Sequence, residues 1–304
     1  MHLLKIIVCC TVLYCTITTG AFWAPELDLK EDDDGSKTKT LTLMYSVSEM
    51  DAREGGPNTC VGIARTATGL EGFPNNLTWE EDTGDNNPVT CIIGSDYDEE
   101  ERSAIDPSVF WGMGDHSDRL FMVTGGGFII GTELHPETYG QLDGASFEKD
   151  GEAWQELARG PIIKSSSSSS SGDAWVEAAY IHPNPKTGYY YIFVNWGTCC
   201  SGTDSTYQIR VGRSKNPMGP YLDKKGNNMM NGGGSRLVSG KGFMFGPGHT
   251  GIWNKGRKEY ISFHYYDGRR EGNSWIAEKR LKWKKGWPKT AKKTLNTFPR
   301  NMLG

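Results

Sequence analysis

The sequence Trp175-Val176-Glu177-Ala178-Ala179-Tyr180-Ile181, followed by the run Tyr189-Tyr190-Tyr191-Ile192-Phe193-Val194, contains the unit from which the fold can be predicted. An aromatic and β-branched run bounded by turn residues predicts a β-strand. Comparable runs occur at 40–46, 119–124 and 259–265. The run centres, at Leu43, Met122, Ile192 and Ile261, are 79, 70 and 69 residues apart. A repeat of this length favours a four-stranded β-propeller blade with long loops over a β-sandwich.

A short motif with a carboxylate or a histidine precedes each of these runs. Its polar residues are Glu26, Asp106, Glu177 and His249, which lie 17, 16, 15 and 12 residues before the centre of the following run. If each motif begins the innermost strand of a blade, the four side chains converge on one central axis. Any single motif is more simply explained as an ordinary turn, so the prediction depends on their common phase.

The composition indicates a soluble all-β protein. Of the 304 residues, 37% are apolar, which allows a sizeable core, and Gly (39) and aromatic residues (11%) are abundant. The formal net charge is −4. It offers no strongly basic surface for phosphate backbones, so we expect no nucleic-acid partner. The basic stretch 279–293, which contains Trp283 and Trp287, is interpreted as a closing strand and a solvated tail.

Residues 1–20 have the pattern of a secretory signal peptide, with Lys5 before a short apolar run and small residues at its end. No other stretch approaches membrane-spanning length, so we expect a secreted, extracellular protein that does not contact a membrane. The sequon at Asn76 agrees weakly with secretion. Four cysteines follow this segment. Cys60 with Cys91 and the adjacent Cys199 with Cys200 are plausible disulfides, although four cysteines allow three pairings.

The in-phase carboxylates suit glycosidic bond cleavage, which uses a pair of carboxyl groups across a cleft. Val176 and the two alanines after Glu177 form an apolar setting that favours the protonated carboxyl group of a general acid. Aromatic rings beside the motifs could stack on sugars, although most such rings belong to a core. They are Trp23, Phe110, Trp111, Phe128, Trp175, Tyr180 and Trp196.

Motifs for other chemistries do not occur. The sequence has no Gly-x-Ser-x-Gly nucleophile elbow, and its triple-glycine segments lack the lysine and the helix of a phosphate loop. His249 has no His-Glu-x-x-His partner, so zinc bound by protein ligands alone is not expected, although water could help this histidine to hold a cation.

The chain resembles the endo-1,5-α-L-arabinanases of glycoside hydrolase family 43, which are inverting enzymes on a five-bladed β-propeller. The resemblance covers roughly residues 22–288. Its most specific pieces are Phe22-Trp23-Ala24-Pro25-Glu26, Ser103-Ala104-Ile105-Asp106-Pro107-Ser108, residues 175–181, the stretch 199–234, and Gly246-Pro247-Gly248-His249.

The resemblance implies roles for matching residues. It implies that Glu177 is the general acid and that Asp106 orients this acid and tunes its pKa. His249 is similar to the axial histidine that holds a calcium ion through water. The implied sugar contacts are Ser103, Ala104, Ile105, Phe128 and, along the groove, Trp23. The implied partner is arabinan, a pectin side chain, and the expected oligomeric state is a monomer.

The sequence also departs from this family. The family's general base is an aspartate in a His-Asp-Pro motif of the first blade, and that motif does not occur here. We therefore expect a propeller domain at 21–290 whose N-terminal blade is largely missing, a basic tail at 291–304, and an activity that is low or nil. Two alternatives stay open: a catalytically dead carbohydrate-binding propeller, and a related family 43 glycosidase acting on xylan or arabinoxylan.

Overall fold

The computed structural model describes residues 20–31, 39–49, 59–66, 79–81, 90–92, 103–140, 142, 154–160 and 175–299. These residues form β-strands and three single-turn 3-10 helices, at Gly114–His116, Gly202–Asp204 and Met229–Asn231. No helix in the described ranges has the length and apolar character needed to cross a bilayer. The described part of the chain is therefore all-β, as its composition predicts.

The strands form four sheets that follow one another along the chain. Blade I contains β1 (Gly20–Glu31), β2 (Lys39–Glu49), β3 (Thr59–Thr66), β4 (Trp79–Glu81) and β5 (Thr90–Ile92). Blade II contains β6 (Ser108–Trp111), β7 (Leu120–Thr124), β8 (Phe128–Leu134) and β9 (Gln155–Arg159). Blade III contains β10 (Val176–Asn184), β11 (Tyr189–Trp196), β12 (Gln208–Ser214) and β13 (Ser235–Ser239). Blade IV contains β14 (Met244–Lys255), β15 (Lys258–Asp267), β16 (Asn273–Lys284) and β17 (Trp287–Pro299).

Each blade is an antiparallel meander, and the first strands of neighbouring blades lie side by side. Strand β6 lies between β1 and β10, and β10 lies between β6 and β14. Consecutive antiparallel strands joined by turns are the expected form of a propeller blade. The first strands are therefore the inner strands; Glu26, Glu177 and His249 lie on them, and Asp106 lies two residues before β6.

The core consists of layers between blades, which explains the continuous aromatic and β-branched runs. In β11, Ile192 and Val194 pack in a cluster with blade II, whereas Tyr191 and Phe193 pack in a cluster with blade IV. Alternate residues of a strand point to opposite faces, so a strand buried on both faces needs apolar residues at every position. A third cluster, which includes Met44 and Met122, joins blade I to blade II.

Three sequence predictions can be compared with these elements. The basic tail predicted from residue 291 is wrong over its first part, because β17 continues to Pro299 and pairs with β16. The predicted disulfide between Cys199 and Cys200 is present. Cys60 is disulfide-bonded and lies opposite Cys91 in the pairing of β3 with β5. A fifth, largely missing N-terminal blade stays a prediction, since the described residues form four sheets. The predicted signal peptide and the sequon lie outside the described residues.

Candidate active site

The inner strands share a local distortion at the predicted motifs. The register shifts by one residue after Trp23 in β1, after Glu177 in β10 and after Gly248 in β14. The residue that follows each of them has a positive φ, and so does Asp106 just before β6. The four left-handed residues are Ala24 (φ 49°), Asp106 (54°), Ala178 (50°) and His249 (57°). A β-bulge with such a residue re-aims the nearby side chains relative to the regular pleat.

These bulges correct the predicted phase of the four polar residues. Asp106 and His249 are themselves the left-handed residues, and Glu177 directly precedes one. Glu26 instead comes after the bulge of its strand, at the position that Tyr180 occupies in blade III. Glu26 pairs with Met44, which belongs to the cluster between blades I and II. Glu26 therefore lies beyond the bulge of its strand, and its position does not correspond to that of the other three.

Asp106 connects three blades through two short hydrogen bonds. Its backbone N–H donates to Ser46 Oγ of blade I at 2.8 Å, and its carboxylate Oδ2 accepts from the backbone N–H of Ala178 in blade III at 3.1 Å. Both Asp106 and Ser46 are buried. A carboxylate held by a backbone N–H of the neighbouring bulge has a fixed position. Asp106 is therefore placed next to Glu177 by the backbone itself.

Glu177 is held by the indole of Trp175. Trp175 Nε1 donates to Glu177 Oε2 at 2.6 Å. The indole in turn lies over Gly126 of blade II, where an added Cβ would come within 2.9 Å of Trp175 Cζ2 and 2.6 Å of Ser103 Oγ. Only glycine leaves room for this ring, because real Cβ atoms essentially never approach so closely. The orientation of the Glu177 carboxyl group thus depends on a residue of the neighbouring blade.

The surroundings of Glu177 favour its protonated form. Burial, followed by the nearby Asp106 carboxylate, raises the pKa of Glu177 to about 7, against the opposing effects of the Trp175 hydrogen bond and of His249. Burial and a like charge both disfavour ionisation of a carboxyl group. At neutral pH this side chain can therefore both give and take a proton, as a general acid must.

The other predicted sugar contacts are less available than expected. Ala104 is 0% exposed and donates its backbone N–H to Thr59 Oγ1, so its side chain cannot reach a ligand. Phe128 is buried, and the guanidinium of Arg159 covers its ring at 3.9 Å from the ring centre. The burial of these two side chains does not favour direct contact with a sugar, and both contacts stay predictions. Ser103 is also buried, with backbone hydrogen bonds to Gly126, and Ile105 is partly exposed.

The aromatic rings divide in the same way. Trp111 and Trp175 are partly exposed. Three of the candidate rings belong to the core: Phe110, Tyr180 and Trp196. The backbone of Trp23 lies directly before the bulge of β1, as that of Glu177 does in β10, but its side chain lies outside the described part of the structure. Its role in a groove stays a prediction.

The partly exposed His249 is close enough to Glu177 to lower the pKa of that carboxyl group. No group of three or more His, Cys, Asp or Glu side chains that could hold a metal ion occurs among the described residues. Calcium takes six to eight oxygen ligands, whereas His249 offers nitrogen. The described residues therefore do not fit a calcium site built from protein ligands, and a calcium ion held through water stays a prediction.

The residues that support the site are not predicted from the sequence. Trp175 appeared only as a candidate sugar platform, yet residues two apart on a strand point to the same face, so its spacing from Glu177 was a usable signal. The triple glycine 125–127 is typical of a tight backbone approach but does not indicate Trp175 as the neighbour, and nothing in the sequence indicates Ser46. These residues belong to other blades, and their contacts with the site exist only in the folded chain.

Comparison with known proteins agrees with this geometry. Residues 88–288 match the family model "Glycosyl hydrolases family 43". The chain is 31% identical over 281 residues to an extracellular exo-α-(1→5)-L-arabinofuranosidase of Cellvibrio japonicus, an alignment that covers 92% of this chain and 72% of the relative. It is 43% identical over 103 residues to an extracellular endo-α-(1→5)-L-arabinanase of Bacillus subtilis, covering 34% of this chain and 31% of that relative.

A solved structure has the same fold. The structure of Cellvibrio cellulosa α-L-arabinanase complexed with arabinohexaose superposes with a TM-score of 0.67 and 28% sequence identity. The match covers 89% of this chain and 77% of the other.

Proposed function

The chain belongs to glycosyl hydrolases family 43, and on this premise we propose that it acts on α-1,5-linked arabinan with Glu177 as the general acid. Because the members of this family are glycosyl hydrolases, the chain is classified as a glycosidase. The observation that carries the proposal is the raised pKa of Glu177, at the bulge of β10, beside Asp106, the left-handed residue that precedes β6. The names of the relatives, an arabinofuranosidase and an arabinanase, support arabinan as the substrate.

In this mechanism Glu177 protonates the glycosidic oxygen as the bond to the sugar breaks. A carboxyl group with a pKa of about 7 is about half protonated at neutral pH, and the protonated form gives up its proton when the leaving oxygen gains negative charge. The hydrogen bond from Trp175 then stabilises the resulting carboxylate, because a hydrogen bond to an ionised acceptor is stronger than one to a neutral acceptor. Asp106 acts as a positioning residue, because its charge keeps the proton on Glu177 before the reaction.

The second half of an inverting reaction needs a general base. The two carboxyl groups of inverting glycosidases are about 6.5–9.5 Å apart, with a water molecule between them. The His-Asp-Pro motif to which the resemblance assigns this base does not occur in the 304 residues. We therefore propose that this chain by itself contains the acid half of the pair and releases little or no sugar from arabinan.

The same site has a second candidate function. A propeller that keeps the groove without the base would bind arabinan and leave it intact, and the missing motif favours this alternative. Action on xylan or arabinoxylan is a third possibility within the family. Secretion is part of the proposal, supported by the signal-like residues 1–20 and by relatives named as extracellular.

One experiment separates these functions. The purified chain is incubated with linear arabinan, arabinoxylan and xylan, the products are sized, and binding of an arabinan oligosaccharide is measured by calorimetry. Arabinan turnover that disappears in Glu177→Gln supports the hydrolase. Binding without turnover supports the carbohydrate-binding alternative. Neither binding nor turnover on arabinan, or turnover that Glu177→Gln leaves unchanged, contradicts Glu177 as the functional centre.

A further inference from the structure

Blades III and IV carry a second feature at the end opposite the candidate site. In blade III, Glu177 pairs with Asn195 at one end of the β10–β11 hairpin, whereas the hairpin turn follows Asn184 at the other end. Glu177 and Asn184 are seven residues apart, which corresponds to about 20 Å of extended strand. The turn side of blades III and IV, here called the distal end, is formed by residues 184–189, 213–235, 254–259 and 283–289.

The distal end is strongly basic. Its four segments contain eleven Lys and Arg residues and two acidic residues, Asp223 and Glu259, although the whole chain has a net charge of −4. Asp223 accepts hydrogen bonds from backbone N–H groups of its own loop, and Glu259 accepts from Trp283 Nε1. Both carboxylates are thus already engaged. The net charge of the whole chain does not show this local positive charge, and it is the local field that attracts an anionic polymer.

A row of alternating cations and aromatic rings crosses this end from blade III to blade IV. The guanidinium of Arg213 lies 4.2 Å from the ring centre of Tyr189 and 4.4 Å from that of Trp287. Lys215 Nζ lies 3.9 Å from the Tyr189 ring, and Lys224 Nζ lies 5.6 Å from the Trp287 ring. Arg213 Nη1 also donates to the backbone oxygen of Gly286 at 2.7 Å. Cation–π contacts of this kind hold the long side chains in place.

The cations of the row are held in fixed positions, and none has an acidic partner in the part of the chain that the structure describes. Within the described ranges, Arg213, Lys215 and Lys224 form no ion pair with a carboxylate. Lys215 and Lys224 are exposed, and Arg213 is partly exposed. A fixed guanidinium matches the two oxygens of a carboxylate, and the flanking ammonium groups extend the site along a line.

The rings of the row carry cations over their faces. Nucleic acids that bind without sequence preference stack their bases on free aromatic faces, and this row offers no such platform. The chemistry that fits is a chain of regularly spaced carboxylates on a polymer that needs no stacking. Uronate polysaccharides have this chemistry.

We propose that the distal end of blades III and IV is a second carbohydrate site, which binds the carboxylate groups of a uronate polysaccharide through Arg213, Lys215 and Lys224. This proposal rests on the proposed function in one respect: arabinan is a side chain of pectin, whose backbone carries uronates. The distal site would hold the acidic backbone while the site at Glu177 meets the neutral side chain.

The test compares two triple variants with the same loss of charge. In Lys215→Gln/Lys224→Gln/Lys285→Gln the change falls at the distal end, and in Lys241→Gln/Lys292→Gln/Lys293→Gln it falls on exposed lysines elsewhere in the described chain. Binding to polygalacturonate is measured by calorimetry at low and moderate salt. The first variant is expected to bind about fivefold more weakly and with a smaller salt dependence, since exposed charge pairs contribute fractions of a kcal/mol each. The second variant is expected to bind as the unmodified chain does.

Three outcomes would overturn the proposal: no binding of polygalacturonate at low salt, equal losses in the two variants, or tighter binding of single-stranded DNA than of polygalacturonate. Glu177→Gln provides the separation from the proposed function. It is expected to leave polygalacturonate binding unchanged. The measurements can therefore contradict the distal site without contradicting the arabinan site, or the arabinan site without contradicting the distal site.

Discussion

Trp175 Nε1 donates a hydrogen bond of 2.6 Å to Glu177 Oε2. Trp175 directly precedes the inner strand β10, and Glu177 is the second residue of that strand. The indole reaches this position because Gly126 of the neighbouring blade leaves space for it. The proton affinity of Glu177 is therefore set by burial, by Asp106 and by a ring that a second blade supports.

Glu177 makes the stability of the chain depend on pH. Its pKa is about 7 in the folded state and 4.5 in the unfolded chain, so between these values the folded chain keeps a proton that the unfolded chain has lost. The free energy of unfolding contributed by this group falls as pH rises through this window and is constant above it. At pH 8 we expect Glu177→Gln to be more stable than the unmodified chain by up to about 3 kcal/mol, and near pH 4 by little. Urea unfolding at both pH values checks this, and an equal difference at the two would contradict it.

Removing the indole donor is expected to raise the pKa of Glu177 further. In Trp175→Phe the carboxylate loses a hydrogen bond that favours its ionised form, which corresponds to a rise of about one pKa unit. The titration is followed by infrared difference spectroscopy of the carboxyl group, with Glu177→Gln as the blank. Trp253→Phe, which replaces an indole that stacks on Tyr260 in blade IV, serves as the control. It is expected to leave the pKa of Glu177 unchanged. An unchanged pKa in Trp175→Phe would contradict the role of the indole.

A methyl group at position 126 is expected to act through the same ring. In Gly126→Ala the new Cβ would meet Ser103 Oγ, Ile105 Cδ1 and Trp175 Cζ2 at 2.9 Å or less, so the indole must move from Glu177. We expect a loss of about 1–3 kcal/mol of stability and a rise in the pKa of Glu177. Gly140→Ala is the matched control, because its nearest atom is at 3.4 Å. A lower stability with an unchanged Glu177 titration would show that Trp175 does not move.

Two replacements of Asp106 separate its charge from its hydrogen bond. Asp106→Asn keeps an oxygen for the Ala178 N–H and removes the negative charge, so the pKa of Glu177 is expected to fall. Asp106→Ala also leaves the Ala178 N–H without its acceptor, and we expect it to unfold with about 1–2 kcal/mol less free energy than Asp106→Asn. Titration of Glu177 and urea unfolding measure the two effects. A rise in the pKa of Glu177 in Asp106→Asn would contradict the electrostatic role.

The repeats predicted the blades because each run determines its own extended conformation and burial. A run such as Tyr189–Val194 must be extended and buried on both faces, and its recurrence at 79, 70 and 69 residues predicts the four-stranded unit. The motif positions followed for the same reason. The last strand was predicted too short, because the charged residues beyond 290 gave no apolar pattern and their pairing with β16 is decided by the neighbouring strand.

The site was only partly predictable. The common phase groups Asp106, Glu177 and His249, which lie at or directly before a left-handed residue, but it also includes Glu26, which lies beyond the bulge of its strand. A distance counted along the sequence does not show where a bulge adds a residue, so spacing alone cannot separate a residue at the bulge from one beyond it.

The sequence by itself determined the all-β class, the repeating blade and the acidic residues of the inner strands, since these depend on side-chain type and on periods of two along a strand. Only the tertiary structure decided the packing of Trp175 on Gly126 and the hydrogen bonds that link Ser46, Asp106 and Ala178. It also brought the basic segments together at the distal end. Each of these joins residues far apart in the chain, and the energy of a buried hydrogen bond or a clustered charge depends on distances that exist only once the blades have packed.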